Sequence, residues 1–285
     1  MITSTTTKRT RWAVIPIGRR VPLSLWLSIP IALLAAVAST VGILGSIYEK
    51  ETENWTAQAV ATDLVNVTIA VPALVILGLL ASRGSMRAHL AWAGVVAYMV
   101  YAYAIYAFDV RFGPMFLVYV AVFGLSIYAL IGGLVRFDVD RVKARFDRRA
   151  STRAMAGFLI GLGTAFYLLW LSSIVAALVD GSIPSELRET GLPSNPVHVL
   201  DMAVFLPATI LTGVLLWRRR ALGYVLAPMI LVAAILLGLG IVAIQFVLAA
   251  REGDPVWGLA IGMGVLIAGE LVAVARFLRR VRAEH

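Results

Sequence analysis

Eight long apolar runs, separated by short polar stretches, dominate this chain of 285 residues. Each run is long enough to cross the hydrocarbon core of a bilayer, for which roughly 20 apolar residues suffice. Backbone polar groups in such a core need partners within the chain, so each run is expected to be a helix. The expected spans are 21–48, 63–82, 89–108, 114–135, 154–179, 196–217, 221–250 and 256–277. The sequence therefore predicts an all-α, polytopic integral membrane protein with eight transmembrane helices.

The cations of the chain fall on alternate loops. Of the 25 Lys and Arg residues, 21 lie in the N-terminal tail, in the loops after spans two, four and six, or at the C-terminal end. Cytoplasmic loops of membrane proteins collect Lys and Arg. We therefore expect both termini to face the cytoplasm from a plasma membrane, with anionic lipids at the inner basic loops. The Arg-rich, Cys-free composition is typical of a bacterial protein.

Composition also excludes several classes of function. The chain is 60% hydrophobic and 14% charged, so its net charge of +9 reflects membrane topology, and we expect no nucleic-acid partner. The absence of cysteine excludes disulfides, thiolate nucleophiles and Cys-ligated metals. No span interior holds a lysine, and two of the three histidines, His89 and His198, fall at opposite faces of the membrane. We therefore expect no cofactor and no bound metal.

Spans two and six share a motif without a gap. Pro, Ala, Gly, Leu and Arg stand at positions 72, 73, 78, 80 and 83 of the first and at 207, 208, 213, 215 and 218 of the second. This match predicts two pseudo-symmetric four-helix halves, residues 1–150 and 151–285, related by an axis along the membrane normal. Chance is the alternative, because Leu, Ala and Gly are abundant in this chain.

Carboxylates near the outer ends of spans two and six suggest a ligand site. Asp63 and Asn66 are three residues apart, as are His198 and Asp201, and Asp109 closes span three. Polar groups three apart share a helix face. If the halves are related, Asp63 and Asp201 face each other across the axis and form an outward-facing site for a cation, an amine or a proton.

Two other interpretations of these residues stay open. Acidic residues in the first turn of a helix are favoured by the helix dipole, so Asp63 and Asp201 can also be simple helix starts. His198 with Asp201 resembles half of a general-base pair, in which a carboxylate orients an imidazole, although no nucleophile is evident.

Aromatic residues are concentrated in spans three and four. Span three holds Tyr98, Tyr101, Tyr103, Tyr106 and Phe108, and span four holds Phe116, Tyr119 and Phe123. Beside carboxylates, such rings can form a cage for an organic cation or a slot for a lipid chain, and we expect Tyr101 or Tyr119 in its wall. The alternative is interior packing together with an aromatic belt at the membrane surface.

Glu270 is the only charged residue deep in an expected span. Charged groups in that environment are costly and usually face the bundle interior. Glu270 is therefore a candidate proton-coupling carboxylate, with Thr212 and Tyr128 as partners at similar depth. A polar contact between helices is the alternative.

Three functions follow as hypotheses. The leading one is a membrane protein that binds or transports a small cationic or lipid-like ligand through an outward-facing acidic and aromatic pocket, with Glu270 as its proton link. The second is an intramembrane enzyme that acts on a lipid of the outer leaflet through His198 and Asp201, although the sequence leans away from an enzyme. The third is a sensor or scaffold subunit. The sequence names no ligand and allows an oligomer.

Overall fold

Eight helices in the described part of the chain are long and apolar enough to cross a membrane. The computed structural model describes residues 21–146, 152–251 and 253–281, without the side chains of residues 185 and 186. Spans 1 to 8 are Leu23–Leu44, Glu53–Ser82, Met86–Asp109, Phe116–Val135, Arg153–Asp180, Pro196–Trp217, Ala221–Ala250 and Trp257–Arg279. The described residues contain no strand, only one isolated bridge between Phe146 and Val281. The protein is therefore an all-α polytopic membrane protein that contacts lipid, as the sequence predicted.

Span 2 is longer than predicted. It begins at Glu53, ten residues before the expected start at Asp63, because Thr52 caps the helix and accepts a hydrogen bond from the backbone nitrogen of Trp55 at 3.2 Å. Ala57 and Ala61 then pack against Val247 of span 7. The first turns of span 2 are therefore part of the core, although several of their residues are polar. Asp63 consequently lies inside a long helix, not at its N-terminus.

Three spans are interrupted helices, and two short helices lie between spans. Span 1 consists of Leu23–Trp26 and Ser28–Leu44. Span 2 consists of Glu53–Val65, the π-helical segment Asn66–Ala70, and Val71–Ser82. Span 6 consists of Pro196–Leu200, the π-helical segment Asp201–Phe205, and Leu206–Trp217. The short helices are Val139–Ala144 and Ser185–Thr190.

The two π segments stand in the same register. Each begins six residues before a proline, Pro72 or Pro207, and each is followed by a helix of 12 residues. A proline has no backbone N–H to donate, so the helical hydrogen-bond pattern must change near it. Single-turn π segments occur frequently at functional sites. The shared register agrees with the predicted repeat, although the superposition of the halves stays a prediction.

Spans 3 and 7 form the centre of the bundle. They are the two most buried spans and pack against each other. Gly94 permits their close approach, because a Cβ atom there would lie 2.6 Å from the carbonyl oxygen of Met229. Spans 2 and 4 pack against span 3, and spans 2, 6 and 8 pack against span 7. Span 5 packs mainly against span 6, so it lies at the periphery.

The loops collect at two ends of the bundle. At the end that we call acid-rich, Asn54 donates to Glu189 at 3.1 Å and the backbone nitrogen of Arg111 donates to Glu51 at 2.9 Å, which brings three loops together. At the opposite, arginine-rich end, Arg87 Nε donates to the carbonyl oxygen of Val281 at 3.2 Å. Residues 1–20, 147–151 and 282–285 lie outside the described residues, and with them most of the tail and part of the loop predicted to meet anionic lipid.

Candidate functional site: two buried carboxylates

Asp63 lies in a cluster of tyrosines inside the bundle. Its side chain is 1% exposed. The Tyr48 hydroxyl donates to Oδ2 at 2.7 Å, and the Tyr106 hydroxyl donates to Oδ1 at 2.9 Å. Among the described residues no Lys, Arg or His forms an ion pair with Asp63. Two neutral donors therefore hold a buried carboxyl group that lacks a cationic partner.

Packing around Asp63 is tight. Gly42 of span 1 lies against it, so that a Cβ atom at Gly42 would lie 1.9 Å from Asp63 Oδ2 and 2.8 Å from the Tyr48 hydroxyl. The ring of Tyr119 in span 4 stacks on that of Tyr106 with 5.0 Å between centroids. The buried Tyr119 hydroxyl lies near Tyr48 and Asp63 but makes no hydrogen bond of good geometry to any described residue. The cluster thus joins spans 1 to 4. The Tyr119 hydroxyl within it has no hydrogen-bond partner among the described residues.

Asn66 continues the polar cluster one turn further along span 2. Its Oδ1 accepts from the Tyr98 hydroxyl at 2.9 Å, and its Nδ2 donates to Ser39 Oγ of span 1 at 3.3 Å. Asn66 and Ser39 are both fully buried. These bonds satisfy the polar groups at the first residue of the π segment and attach it to spans 1 and 3.

An open cavity of about 640 Å³ lies at the acid-rich end and shares two residues with this cluster. Gly42 and Tyr48 belong both to its lining and to the surroundings of Asp63. Three glutamates line it, Glu49, Glu51 and Glu53, together with Arg251. The cavity therefore has more acidic than basic side chains in its lining, and it shares Tyr48 and Gly42 with the surroundings of Asp63.

Tyr48 lies in the loop before span 2 and is 3% exposed. Burial, reinforced by the neighbouring Asp63 carboxyl group, raises the pKa of Tyr48 well above the usual range for tyrosine. Its hydroxyl consequently stays protonated and acts as a hydrogen-bond donor at physiological pH.

Asp201 forms a second cluster, on spans 3, 5 and 6. Its Oδ1 accepts from the Tyr101 hydroxyl at 2.9 Å and its Oδ2 from Trp170 Nε1 at 2.8 Å. The His198 ring packs against that of Trp170 in a tilted arrangement, with 4.5 Å between centroids. The general-base interpretation expects Asp201 to orient His198, whereas the hydrogen bonds that the structure gives Asp201 come from Tyr101 and Trp170.

Span 3 connects the two clusters. Tyr98 and Tyr101 of that span donate to Asn66 and Asp201, which are the first residues of the two π segments. Measured from the prolines, Asn66 therefore corresponds to Asp201. The sequence interpretation paired Asp63 with Asp201, which stand nine and six residues before their prolines, and the relation between the two halves stays a prediction.

The predicted site residues thus divide into two groups. Asp63, Asn66 and Tyr119 lie in the first cluster, and Tyr101, His198 and Asp201 lie in the second. Neither Asp63 nor Asp201 lines the cavity described above, so one cavity shared by both remains a prediction. Neither carboxyl group is a helix start, since Thr52 and Asn195 cap the two spans.

Two predicted residues lie apart from both clusters. Glu270 is 2% exposed on the side of span 8 that packs against span 7, and its expected partner Tyr128 is 70% exposed. The other expected partner, Thr212, is fully buried, and its hydroxyl has no hydrogen-bond partner among the described residues. Asp109 is half-buried at the end of span 3. Neither expected partner makes a hydrogen bond to Glu270 in the described part of the chain, and its role in proton coupling stays a prediction.

Sequence reasoning missed Tyr48, Gly42 and Trp170, and it gave Tyr106, among the aromatic residues of span 3, no specific role. Tyr106 is 4% exposed, whereas Phe108 is 77% exposed and faces outwards. The helical period does indicate that Tyr106 is buried. It stands seven residues after Met99 and eight after Tyr98, and therefore lies on the same helix face as these buried residues. No local pattern marks Tyr48 or Trp170.

Comparisons with protein-family models, with curated proteins and with solved structures found no match to this chain.

Proposed function

We propose that this membrane protein binds a small cation in the cavity at the acid-rich end, and that the buried Asp63 is linked to this binding. One observation carries the proposal. Tyr48 belongs to the wall of the cavity and donates to the buried Asp63 carboxyl group at 2.7 Å. Any ligand that displaces or polarises the Tyr48 hydroxyl therefore changes the environment of Asp63.

Charge favours a cationic ligand. Glu51 is paired with Arg111, with 3.5 Å between Oε2 and Nε. Glu49 and Glu53 are exposed and form no ion pair in the described part of the chain. These two unpaired carboxylates outnumber Arg251, the one cation in the lining, and an excess of negative charge raises the local concentration of cations. The cavity is open and has a volume of about 640 Å³, which leaves room for an ion with its water or for a small organic cation.

Orientation is part of the proposal. The division of Lys and Arg between alternate loops favours an orientation with the arginine-rich end in the cytoplasm and the cavity outside. The chain has no cysteine, so single cysteines can be labelled without background. We expect cysteines that replace Lys50 and Asp180 to react with an impermeant thiol reagent in intact cells, and one that replaces Arg83 to be protected. Reaction at Arg83 alone would reverse the orientation.

Cation binding can be measured as stabilisation of the purified protein. The probes are sodium, potassium, ammonium, choline and tetramethylammonium ions. A probe present at about 100 times its Kd stabilises the folded state by about 2.7 kcal/mol. We expect at least one probe to raise the melting temperature of the wild type, and the double variant Glu49→Gln/Glu53→Gln to lose this rise.

Asp180→Asn is the matched control. Asp180 is an exposed carboxylate at the same end, but it does not line the cavity. Its variant should respond to the probe as the wild type does. A response that survives in the double glutamine variant, or that disappears equally in Asp180→Asn, contradicts the proposal.

A further inference from the structure

Asp63 has little room for any ligand larger than a proton. Both of its oxygens accept hydrogen bonds, and Gly42 lies so close that even one added carbon would collide with Oδ2. The cavity lining does not include Asp63. The described residues also contain no group of three His, Cys, Asp or Glu side chains that could hold a metal ion. A proton needs no additional space.

The groups that face Asp63 are suited to proton exchange. Three tyrosines surround it, and each is less than 5% exposed. They are Tyr48 of the loop after span 1, Tyr106 of span 3 and Tyr119 of span 4. Tyr98 and Tyr103 of span 3 lie near enough to interact with the charge of Asp63, and span 1 contributes Ser39. Span 7, which also packs against span 2, has Tyr224 as its one titratable residue, near the arginine-rich end. None of these groups carries a fixed positive charge. The charge on Asp63 is therefore not compensated by a cation, and gain of a proton removes it.

We propose that the Tyr48 hydroxyl passes protons between the cavity and Asp63, so that the cation bound at Asp63 itself is a proton. This inference rests on the proposed function, since it identifies the charge that is linked to binding in the cavity. A hydronium ion in the cavity gives a proton to Tyr48 Oη as Tyr48 gives its own proton to Asp63 Oδ2. A water molecule and a neutral carboxylic acid result, and Tyr48 ends with the one proton with which it began.

The exchange also reverses a hydrogen bond. An ionised Asp63 accepts from both Tyr48 and Tyr106, whereas a protonated Asp63 has an O–H that needs an acceptor. Tyr48 Oη then becomes that acceptor, and its own proton turns towards Tyr119 or towards water in the cavity. The Tyr119 hydroxyl, which lacks a good hydrogen bond in the present arrangement, gives this second arrangement a partner.

Infrared difference spectroscopy tests the inference on the full-length protein in lipid nanodiscs. A jump from alkaline to acidic buffer should produce the carbonyl band of a protonated carboxylic acid. Asp63→Asn should remove that band, and Asp201→Asn, which alters the other buried aspartate, should retain it. In Tyr48→Phe the band should form roughly a hundredfold more slowly, an effect of the size expected when a positioned proton-transfer group is removed.

Tyr103→Phe is the control for the rate. Tyr103 is 1% exposed and its ring stacks on Tyr106, but its hydroxyl bonds to the carbonyl oxygen of Ala35 at 3.4 Å. This variant should form the band at the wild-type rate. A band that persists in Asp63→Asn, or a wild-type rate in Tyr48→Phe, overturns the inference. If Asp63→Asn does not fold, the comparison of the two phenylalanine variants decides. The proposed cation binding is tested separately, because the melting-temperature assay depends neither on the carbonyl band nor on its rate of formation.

Discussion

Replacing Gly42 by valine should destabilise the protein by about 2 kcal/mol or more, because this position leaves no space for a side chain. Its Cβ atom alone would approach Asp63 Oδ2 to 1.9 Å and the Tyr48 hydroxyl to 2.8 Å. Added volume in a packed core typically costs about 1–3 kcal/mol. Movement of Asp63 away from its donors leaves buried polar groups unsatisfied, at about 1–3 kcal/mol more. Chemical unfolding of the detergent-solubilised protein measures this loss.

Gly161→Val supplies the comparison. Gly161 is exposed within span 5, and a Cβ atom there meets nothing within 4 Å. Both variants place a β-branched residue in a helix, so their difference isolates the collision at Asp63. Equal stability of the two variants would show that Gly42 does not lie against Asp63.

Hydropathy and charge predicted the number of spans well, because every span needs an apolar run of similar length. The start of span 2 was the main error. Glu53, Asn54 and Gln58 make its first turns polar in sequence, but alanines on the other face pack against span 7. A hydropathy pattern records how apolar a segment is and does not record which of its faces meets a neighbour. Helix caps such as Thr52 carried the missing information.

The candidate site was predictable in part. Asp63 and Asp201 were recognised because carboxylates near apolar runs are rare and costly. Tyr101 was expected near them from the aromatic bias of span 3, but Tyr48 and Trp170 were not, since Tyr48 is 15 residues from Asp63 and Trp170 is 31 residues from Asp201. Such pairings depend on how spans rotate about their axes in the bundle. The small residue at Gly42 and the π segments are likewise consequences of packing that no local pattern specifies.

Binding of tetramethylammonium in the cavity should release protons from the protein. This probe has no proton of its own, so any release comes from the chain. A positive charge beside Tyr48 favours the ionised form of Asp63, whose Oδ2 lies 2.7 Å from the Tyr48 hydroxyl oxygen. Linkage requires the reciprocal effect, so that deprotonation of Asp63 strengthens binding of the cation. Release should therefore be largest in acidic buffer, where Asp63 carries its proton, and should vanish in alkaline buffer.

The measurement is proton release on mixing tetramethylammonium with the purified protein in weakly buffered solution, followed with a pH-sensitive dye. The wild type and Asp201→Asn should release protons in the same proportion to bound cation, and Asp63→Asn should bind the cation more weakly and release none. Equal release from wild type and Asp63→Asn, or cation binding by the wild type in acidic buffer without release, would contradict the coupling between the cavity and Asp63.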